Sequence, residues 1–307
     1  MRQQYKNVLI TGGAGFLATH LTSSLVKDGY NVTIIDIRKS NIKNVKFIQS
    51  DFSNTSVIRP YLETTYAVFH LAAMVGVDRC RLNPEEVIKT NYEDTKKFIK
   101  LCESVNVKKF IFTSSSEVYG NSPNAPFKET DKPKPVSVYA KTKVLIEKYL
   151  ENVANRNNMR VGIVRLFNVY GPHQRKNFVV PIFVDMALLN KSLPLIGSGN
   201  QIRCFTYIKD AVEGIMRLFE YNETNYEIVN IGRKHESTMK DLALLILKLI
   251  PLSKSKLEYK QYGKDGIREY RLEVKRRVPS VEKARVLLGF EAKISLEEGI
   301  KAMLTVS

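Results

Sequence analysis

The feature that most constrains the fold is a strand, a glycine-rich turn and a helix, which follow one another near the start of the chain. Residues 7–11 form a short apolar run, and Gly-Gly-Ala-Gly follows before a helical stretch that ends at about Lys27. Gly12 permits the tight turn, and Gly15 lets a pyrophosphate approach the backbone at the helix amino terminus. Ala18 is small enough for close packing of the helix on the strand. The pattern is typical of dinucleotide binding.

Further apolar strands alternate with helical stretches over the next hundred residues. They are predicted at 31–35, 47–49, 67–70 and 109–113. Such alternation predicts an α/β fold built on a doubly wound parallel sheet, in which ligands bind at the carboxyl ends of the strands. Asp36 follows the second strand, where a carboxylate accepts hydrogen bonds from an adenosine ribose and repels a 2′-phosphate. NAD is therefore favoured over NADP.

Polar or small residues follow other predicted strands at the same edge. Asp51 either binds the adenine amino group or is an aspartate of a surface turn. Leu71, Ala72 and Ala73 follow His70, and their small side chains let a flat ligand approach the backbone. His70 itself is expected to pack at the strand end. Asn91, on the next predicted helix, is either a buried structural amide or part of the site.

The candidate catalytic side chains lie within one short stretch of sequence. Ser115 and Glu117 follow the strand at 109–113, and Tyr139 and Lys143 lie on the next predicted helix. Because Tyr139 and Lys143 are four residues apart, their side chains share one helix face. The ammonium favours the phenolate and lowers the phenol pKa from its usual value of about 10 towards neutrality. The pair therefore predicts a proton acceptor that works at neutral pH.

Composition excludes several classes of protein. The net charge is +17, but the lysines are spread along the whole chain, which favours a solvated basic surface over a nucleic-acid interface. Such a surface attracts anionic substrates. Cys80, Cys102 and Cys204 are too few and too scattered for a disulfide framework or a zinc site, so a reducing cytoplasm is expected and no metal. Residues 242–252 are the longest apolar run, which is too short to span a membrane. A strand is predicted from residue 7, so no signal peptide is expected.

Several motifs extend the pattern along nearly the whole chain. They are Thr11-Gly-Gly-Ala-Gly-Phe-Leu17, Leu71-Ala-Ala73, Ser114-Ser-Ser-Glu-Val-Tyr-Gly120, Tyr139-x-x-x-Lys143, Arg165-Leu-Phe-Asn-Val-Tyr-Gly-Pro172, Gly197-Ser-Gly-Asn-Gln-Ile-Arg203, Tyr207-Ile-Lys-Asp210, Asn230-Ile-Gly232 and Arg277-Val-Pro-Ser-Val281. In these segments and in their order, the chain resembles the extended short-chain dehydrogenases/reductases, and among them the NAD-dependent nucleotide-sugar epimerase/dehydratase family.

The resemblance implies an enzyme that oxidises carbon 4 of the sugar and passes the hydride to NAD, which leaves a 4-keto sugar. Ser115 would bind the sugar hydroxyl, Tyr139 would remove its proton, and Lys143 would tune Tyr139 and hold the nicotinamide ribose. The implied cofactor-binding residues are Gly12, Gly15, Phe16, Leu17, Asp36, Asp51, Phe52, Leu71, Ala72, Ala73, Asn91, Thr113, Tyr139 and Lys143. The implied substrate-binding residues are Ser115, Ser116, Asn168, Phe178, Val179, Arg203 and Arg277.

Within this substrate set, Asn168 and Arg203 resemble the positions that hold the nucleotide diphosphate. The guanidinium of Arg203 suits phosphate because its donors lie in one plane. Arg277 either joins them or is a surface charge in a basic run. Phe178 and Val179 would contact the nucleoside.

Glu117 discriminates between the reactions that follow oxidation. A 4,6-dehydratase needs a base for carbon 5 and an acid for the departing hydroxyl, and a decarboxylase uses the ketone to stabilise a carbanion. Members of these two branches have glutamate here, whereas simple 4-epimerases tend to have a non-acidic residue. Ser116 argues the other way, because one group of dehydratases has an aspartate there; a group that acts on a GDP-sugar resembles the present pairing. If Glu117 only bonds nearby groups, it does not discriminate. The sequence favours a 4,6-dehydratase, with a 4-epimerase and then a UDP-glucuronate-type decarboxylase as alternatives.

The domain boundaries follow from the same resemblance. Residues 1–171, with 201–233 returning to them, are predicted to form the NAD-binding Rossmann domain. Residues 172–200 and 234–307 are predicted to form a smaller mixed α/β lobe that binds the nucleotide sugar. The resemblance also implies a homodimer built from helices near 84–104 and 137–155. A non-catalytic NAD-binding or RNA-binding protein is the alternative of a different class, although such a protein has no need of Ser115, Tyr139 and Lys143 together.

Overall fold

The computed structural model describes residues 6–264 and 273–305, in which strands and helices alternate. A π-helical segment (Lys89–Asp94) joins two of the helices, and a short 3-10 helix (Ser116–Tyr119) follows one strand. From residue 7 to residue 166 the elements are β1 (Asn7–Thr11), α1 (Phe16–Lys27), β2 (Asn31–Asp36), β3 (Lys46–Gln49), α2 (Thr55–Leu62), β4 (Ala67–His70), α3 (Val77–Leu82), α4 (Pro84–Ile88), α5 (Thr95–Ser104), β5 (Lys109–Ser115), α6 (Val138–Arg156) and β6 (Arg160–Leu166).

The later elements are shorter and more mixed. They are β7 (Val169–Tyr170), α7 (Val179–Leu188), β8 (Leu193–Ile196), β9 (Ile202–Cys204), β10 (Thr206–Tyr207), α8 (Ile208–Glu220), β11 (Tyr226–Ile231), β12 (Glu236–Thr238), α9 (Met239–Leu249), β13 (Leu257–Lys260), β14 (Arg276–Arg277), α10 (Glu282–Leu288) and α11 (Leu296–Leu304).

A seven-stranded sheet has the strand order β11-β6-β5-β4-β1-β2-β3. The pairs β1–β2, β1–β4, β2–β3 and β4–β5 are all parallel. Strands of such a sheet are buried on both faces and therefore read as continuous apolar runs, which is the pattern of β1, β4 and β5. The predicted doubly wound parallel sheet is confirmed.

One face of this sheet packs on α5 and α6. Phe98 of α5 and Ile146 of α6 are fully buried in a cluster with Val68, Phe110 and Phe112 of the strands. A hydrophobic cluster of this kind fixes the inner face of α6 against the carboxyl-terminal half of β5. Side chains on that face are therefore held at the end of the sheet where α/β proteins bind ligands.

The chain forms two compact units. The first comprises residues up to Val118, Ser137–Arg165 and Ile215–Val229; the second comprises Tyr119–Val136, Leu166–Gly214 and residues from Asn230 onwards. This division differs from the predicted boundaries, which assigned 119–136, 166–171, 201–214 and 230–233 to the cofactor domain. The difference arises because β9 pairs with β12 and β14 in a separate three-stranded sheet, and β10 pairs with β7. The binding roles of the domains stay a prediction.

The boundaries of α6 agree closely with those predicted from the sequence. The helix predicted over 137–155 is α6, and Ser137 caps it by accepting a hydrogen bond from the backbone N–H of Ala140 at 3.0 Å. In residues 6–264 and 273–305, no helix is both long enough and apolar enough to cross a lipid bilayer.

We predict that Gly120→Ala destabilises the protein more than Gly29→Ala does. Both glycines have positive φ, at 54° and 82°, which costs any other residue about 1–2 kcal/mol. A Cβ on Gly120 would also lie 1.8 Å from the carbonyl oxygen of Lys134, whereas a Cβ on Gly29 meets nothing within 4 Å. Thermal unfolding midpoints of the two variants measure the difference. Equal midpoints would contradict the steric argument.

Candidate active site

The glycine turn after β1 is fixed by the carboxylate of Asp36. Its two oxygens accept the backbone N–H groups of Ala14 at 3.0 Å and Arg38 at 2.8 Å. Gly12 adopts φ 69°, and a Cβ there would lie 2.8 Å from the backbone nitrogen of Ala72. Only glycine therefore lets the turn pack against the loop after β4.

These residues fit a dinucleotide. The backbone amides in the first turn of α1 have no side-chain cap at Gly15, which leaves a helix amino terminus of the kind that binds pyrophosphate. Each carboxylate oxygen of Asp36 keeps acceptor capacity after one backbone hydrogen bond, so ribose hydroxyls can also be bound. Phe16 and Leu17 begin the helix at this turn.

The loop after β4 is held in place by the buried side-chain amide of Asn91. Asn91, in the π-helical segment, accepts the backbone N–H of Met74 at 2.7 Å and donates to its carbonyl oxygen at 3.0 Å. Its amide is thus engaged with the loop that holds Leu71, Ala72 and Ala73. The cofactor-binding role of Asn91 stays a prediction.

His70 packs at the end of β4, as the sequence predicted. Its Nδ1 lies 2.8 Å from the Thr11 hydroxyl, and its Nε2 lies 3.1 Å from the Thr95 hydroxyl. Thr95 donates its only hydroxyl proton to the Thr90 carbonyl, so it must accept from Nε2, and Nδ1 must accept from Thr11. Burial, with a smaller contribution from Lys143, lowers the pKa of His70 to about 3. The imidazole is therefore neutral.

Ser115 and Glu117 lie together at the carboxyl end of β5. The Ser115 hydroxyl accepts the backbone N–H of Glu117 at 3.2 Å. The Glu117 carboxylate, half-buried, accepts a hydrogen bond of 3.2 Å from the Ser137 hydroxyl, the same group that caps α6. Ser116, between Ser115 and Glu117, is buried. Two of the predicted catalytic groups are thus neighbours, and one is tied to the helix that carries the other two.

Tyr139 and Lys143 share a face of α6, as their spacing predicted. The Lys143 ammonium lies 5.7 Å from the centre of the Tyr139 ring and 4.5 Å from that of Phe112. It donates a hydrogen bond of 2.7 Å to the carbonyl oxygen of Thr113 on β5. Tyr139 also packs against the cluster formed by Met74, Cys80 and Val87. The structure therefore brings the predicted tyrosine–lysine pair to the end of β5.

Burial changes the chemistry of Lys143. Desolvation lowers its pKa to about 7, and Glu147, followed by Cys80, opposes that shift. The sequence predicted only that the ammonium would act on the phenol. Its own loss of charge near neutral pH was not expected, because the depth of burial is set by the strands beneath α6.

Sequence reasoning also missed a buried charged group next to this pair. Glu147 accepts hydrogen bonds from the Ser114 hydroxyl and from Arg165 Nε and Nη2, the last two at 3.1 Å and 2.7 Å. Glu147 follows Lys143 by four residues, the same interval that separates Tyr139 from Lys143. That spacing was the available signal.

The other predicted cofactor residues have mixed surroundings. Asp51 is exposed, and its side chain accepts the backbone N–H of Ser53 at 2.8 Å, as an aspartate of a surface turn does. Phe52 is buried, with its ring edge-on to His70 at 5.0 Å. The Thr113 hydroxyl donates to the His70 carbonyl at 3.1 Å, so it links β5 to β4.

The predicted substrate residues beyond Ser116 belong to the second unit. Arg203 and Arg277 are register partners on the parallel strands β9 and β14. Arg203 is buried, and its guanidinium donates to the Val274 carbonyl and forms an ion pair of 2.6 Å with Glu273. Arg277 is half-buried and so is not an ordinary surface charge. The structure therefore gathers the two arginines but gives one of them a carboxylate partner.

Asn168, Phe178 and Val179 lie on two other segments of this unit. Asn168 adopts a positive φ of 37° and donates its side-chain amide to the Cys204 carbonyl at 2.8 Å. Phe178 is exposed and precedes α7, which begins at Val179. In the part of the chain that the structure describes, no cluster of histidine, cysteine and acidic side chains could hold a metal ion.

Comparisons with known proteins agree with this geometry. Residues 8–232 match the family described as the NAD dependent epimerase/dehydratase family. The chain is 33% identical over 311 aligned residues to the dTDP-D-glucose 4,6-dehydratase of Homo sapiens, covering 96% of this chain and 88% of the human protein. It is 34% identical over 313 residues to the UDP-N-acetyl-alpha-D-glucosaminuronate decarboxylase of Bacillus cytotoxicus, covering 96% of each.

A solved structure extends the similarity to the fold. The UDP-glucuronic acid 4-epimerase of Bacillus cereus, in complex with UDP-glucuronic acid and NAD, is 28% identical, matches with a TM-score of 0.88 and covers 98% of both chains. These three similar proteins carry three different reaction names. The family match extends over most of the chain, and relatives more than 30% identical align with nearly all of it. The chain therefore belongs to the NAD dependent epimerase/dehydratase family.

Proposed function

We propose that this NAD-dependent enzyme is a nucleotide-sugar 4,6-dehydratase. The observation that carries the proposal is the half-buried carboxylate of Glu117, which lies at the end of β5 beside Ser115 and is held by Ser137. A carboxylate at this position supplies the proton transfers that elimination requires after the sugar has been oxidised at carbon 4.

The oxidation step uses three side chains. Ser115 binds the carbon-4 hydroxyl, and Tyr139 accepts its proton as the carbonyl forms. Lys143, 5.7 Å from the Tyr139 ring centre, stabilises the phenolate by its charge. The chemistry that bound NAD would supply is storage of the hydride, which would leave carbon 4 and return to carbon 6 after elimination. Carbon 5 would take up one proton in that last step, which balances the proton that Tyr139 accepted.

The elimination step uses Glu117. The carbon-4 ketone acidifies the proton on carbon 5, and the Glu117 carboxylate removes it. The same group, now protonated, gives a proton to the hydroxyl that departs from carbon 6, so one water is lost. Ser116 contributes no acid, which distinguishes this site from dehydratases that use an aspartate there.

A 4-epimerase is the second candidate, and Ser116 is the observation that favours it. A serine has no carboxyl group to protonate a departing hydroxyl, and a 4-epimerase has no departing group. The Bacillus cereus structure is a 4-epimerase of the same fold. A UDP-glucuronate-type decarboxylase is the third candidate, supported by the Bacillus cytotoxicus relative.

We propose that the substrate is a nucleotide diphosphate sugar, as the names of the relatives indicate. Asn168, Arg203 and Arg277 bind its diphosphate, and Phe178 and Val179 contact the nucleoside. The register pairing of Arg203 with Arg277 supports this role, because neighbouring guanidinium groups suit a doubly charged ligand. Glu273 orients Arg203 through their ion pair.

We further propose a homodimer located in the cytoplasm. Ile88 of α4 and Leu145 of α6 are 41% and 44% exposed, and α4 packs on α6, so the two helices present apolar side chains to solvent. A second copy of the chain covers such a face. The three cysteines are free thiols, which is consistent with a reducing compartment.

We predict that Tyr139→Phe still binds NAD. The rate at which substrate reduces the cofactor should fall by at least about 100-fold, because the proton acceptor is removed. Calorimetry measures NAD binding, and nicotinamide absorbance after addition of nucleotide sugar measures reduction. Reduction at the wild-type rate in this variant would refute the relay. A wild-type protein that reduces NAD with no nucleotide sugar would support the non-catalytic alternative.

We predict that the wild-type enzyme removes one water from at least one of a panel of UDP-, GDP-, dTDP- and CDP-sugars. Glu117→Gln should keep cofactor reduction and slow the loss of water by about 100-fold or more. Mass spectrometry distinguishes water loss, carbon dioxide loss and unchanged mass. An unchanged mass with altered stereochemistry, undiminished in Glu117→Gln, would assign a 4-epimerase instead.

We predict that Leu145→Glu dissociates the dimer, because it puts a charge into the apolar face of α6. Leu252→Glu is the matched control, since Leu252 is 90% exposed in the second unit. Light scattering after size-exclusion chromatography gives the mass of each variant. A wild-type protein of monomeric mass would refute the homodimer.

A further inference from the structure

The inner face of α6 carries a buried anion one turn beyond Lys143. Glu147 and Arg165 form an ion pair of 2.7 Å with side chains only 4% and 3% exposed. The Ser114 hydroxyl donates the third hydrogen bond to the same carboxylate. Ser114 directly precedes Ser115 on β5, so the buried group joins the catalytic strand to the catalytic helix.

Stability alone does not account for this pair. Removing two charges from water costs several kcal/mol for each ion, and well-packed apolar residues of similar volume often do as well or better. The neighbouring core of Ile146, Leu150 and Phe110 is apolar and fully buried. A buried glutamate and arginine in such a core therefore call for another role.

The carboxylate of Glu147 can stabilise the charged form of Lys143. Its ammonium is surrounded by the Thr113 carbonyl, the Phe112 ring and the Tyr139 ring, none of which carries a full negative charge unless the phenol ionises. Burial brings the Lys143 pKa down to about 7, and Glu147 is the strongest of the groups that oppose it, before Cys80 of α3. His70 of β4 also interacts electrostatically with Lys143, whose charge helps to lower the pKa of His70, so that the imidazole is neutral.

We propose that Glu147, held by Arg165 and Ser114, is a positioning residue that keeps Lys143 protonated for the Tyr139 proton relay. This role rests on the proposed functions of Tyr139 and Lys143. Glu147 touches neither substrate nor cofactor in this scheme and acts only through the charge of Lys143.

Each partner of Glu147 has a distinct part. The planar fork of Arg165 binds both carboxylate oxygens of Glu147 and fixes the orientation of that side chain. Ser114 holds one oxygen on the side of β5.

The consequence is a defined pH dependence. A buried lysine whose pKa lies near 7 loses its proton as pH rises through neutrality, so cofactor reduction should fall on the alkaline side. Removal of the Glu147 charge lowers the pKa of Lys143 further, and the alkaline limb of kcat/KM moves to lower pH. A single opposite charge at short range shifts a pKa by about 1–3 units, so we expect a displacement of about one pH unit or more.

The test compares the pH profile of NAD reduction in the wild type and in Glu147→Gln. Because the single variant leaves Arg165 buried without its carboxylate, the double variant Glu147→Gln/Arg165→Met removes both charges and protects the fold. Both are expected to show the displaced limb. Glu103→Gln is the matched control. Glu103 of α5 forms an ion pair of 2.9 Å with Arg156, the last residue of α6, which is 13 residues beyond Lys143.

A second readout does not need activity. The Lys143 pKa is about 7 in the folded state and about 10.4 in an unfolded chain, so the unfolded chain binds more protons between these values. The stability of the wild type relative to Lys143→Met should therefore rise with pH from about 7 to about 10. With Glu147→Gln in both proteins, the rise should begin at a lower pH.

The outcomes separate the two proposals. An alkaline limb and a stability rise that stay at their wild-type pH in both Glu147 variants would overturn the role of Glu147 and leave the relay standing. Full activity in Lys143→Met would overturn the relay, and with it the role of Glu147. Displacement of the limb in Glu103→Gln by the same amount would also overturn it, because the effect would then not be specific to the buried carboxylate.

Discussion

The structure around the candidate active site depends on the burial of one ammonium group. Lys143 is almost completely enclosed between α6 and β5, where an unpaired cation is strongly disfavoured. The Thr113 carbonyl, the Phe112 ring and Glu147 offset part of that penalty. The remainder appears as a pKa near 7, which leaves the group close to half-protonated at neutral pH. A lysine poised in this way responds to small changes in its surroundings.

The pKa values of two titratable groups at this end of the sheet, His70 and Lys143, differ because their surroundings differ. His70 is buried among aromatic rings and is satisfied by Thr11 and Thr95, so its neutral form is stable. Lys143 is buried to a similar degree but has an anion one turn away. Separation of this kind is how one site keeps one group neutral and another charged at the same pH. The neutral imidazole then links β4 to β1 and to the first residue of α5.

Local patterns in the sequence predicted what depends on neighbours along the chain. The apolar run of β4, the turn at Gly12 and the shared face of Tyr139 and Lys143 are set by backbone sterics and helical periodicity, which a short window contains. The partner of Glu147 is different, because Arg165 lies on β6, 18 residues further along the chain, and its contact with α6 depends on how the helix packs on the sheet.

The same limit applies to the second unit. Arg203 was predicted as a phosphate ligand, and its ion pair with Glu273 was not predicted, because it requires the parallel pairing of β9 with β14. That pairing joins segments about seventy residues apart, and it also moved residues 201–214 out of the predicted cofactor domain. Long-range strand pairing leaves no periodic signal in either segment, so neither consequence was accessible from the sequence.

The fold does not determine the reaction, since proteins of this fold carry dehydratase, decarboxylase and epimerase names. All three begin from a ketone, so the outcome depends on which atom of the keto sugar meets an acid or base. Ser137 connects the two groups to which we assign these proton transfers. Its single hydroxyl group caps the helix that carries Tyr139 and also donates to the Glu117 carboxylate. The proposed proton acceptor for carbon 4, Tyr139, and the proposed acid–base group for carbon 5, Glu117, are therefore linked through one residue. Under this proposal, the position of Glu117 relative to Tyr139 selects the reaction as much as its charge does.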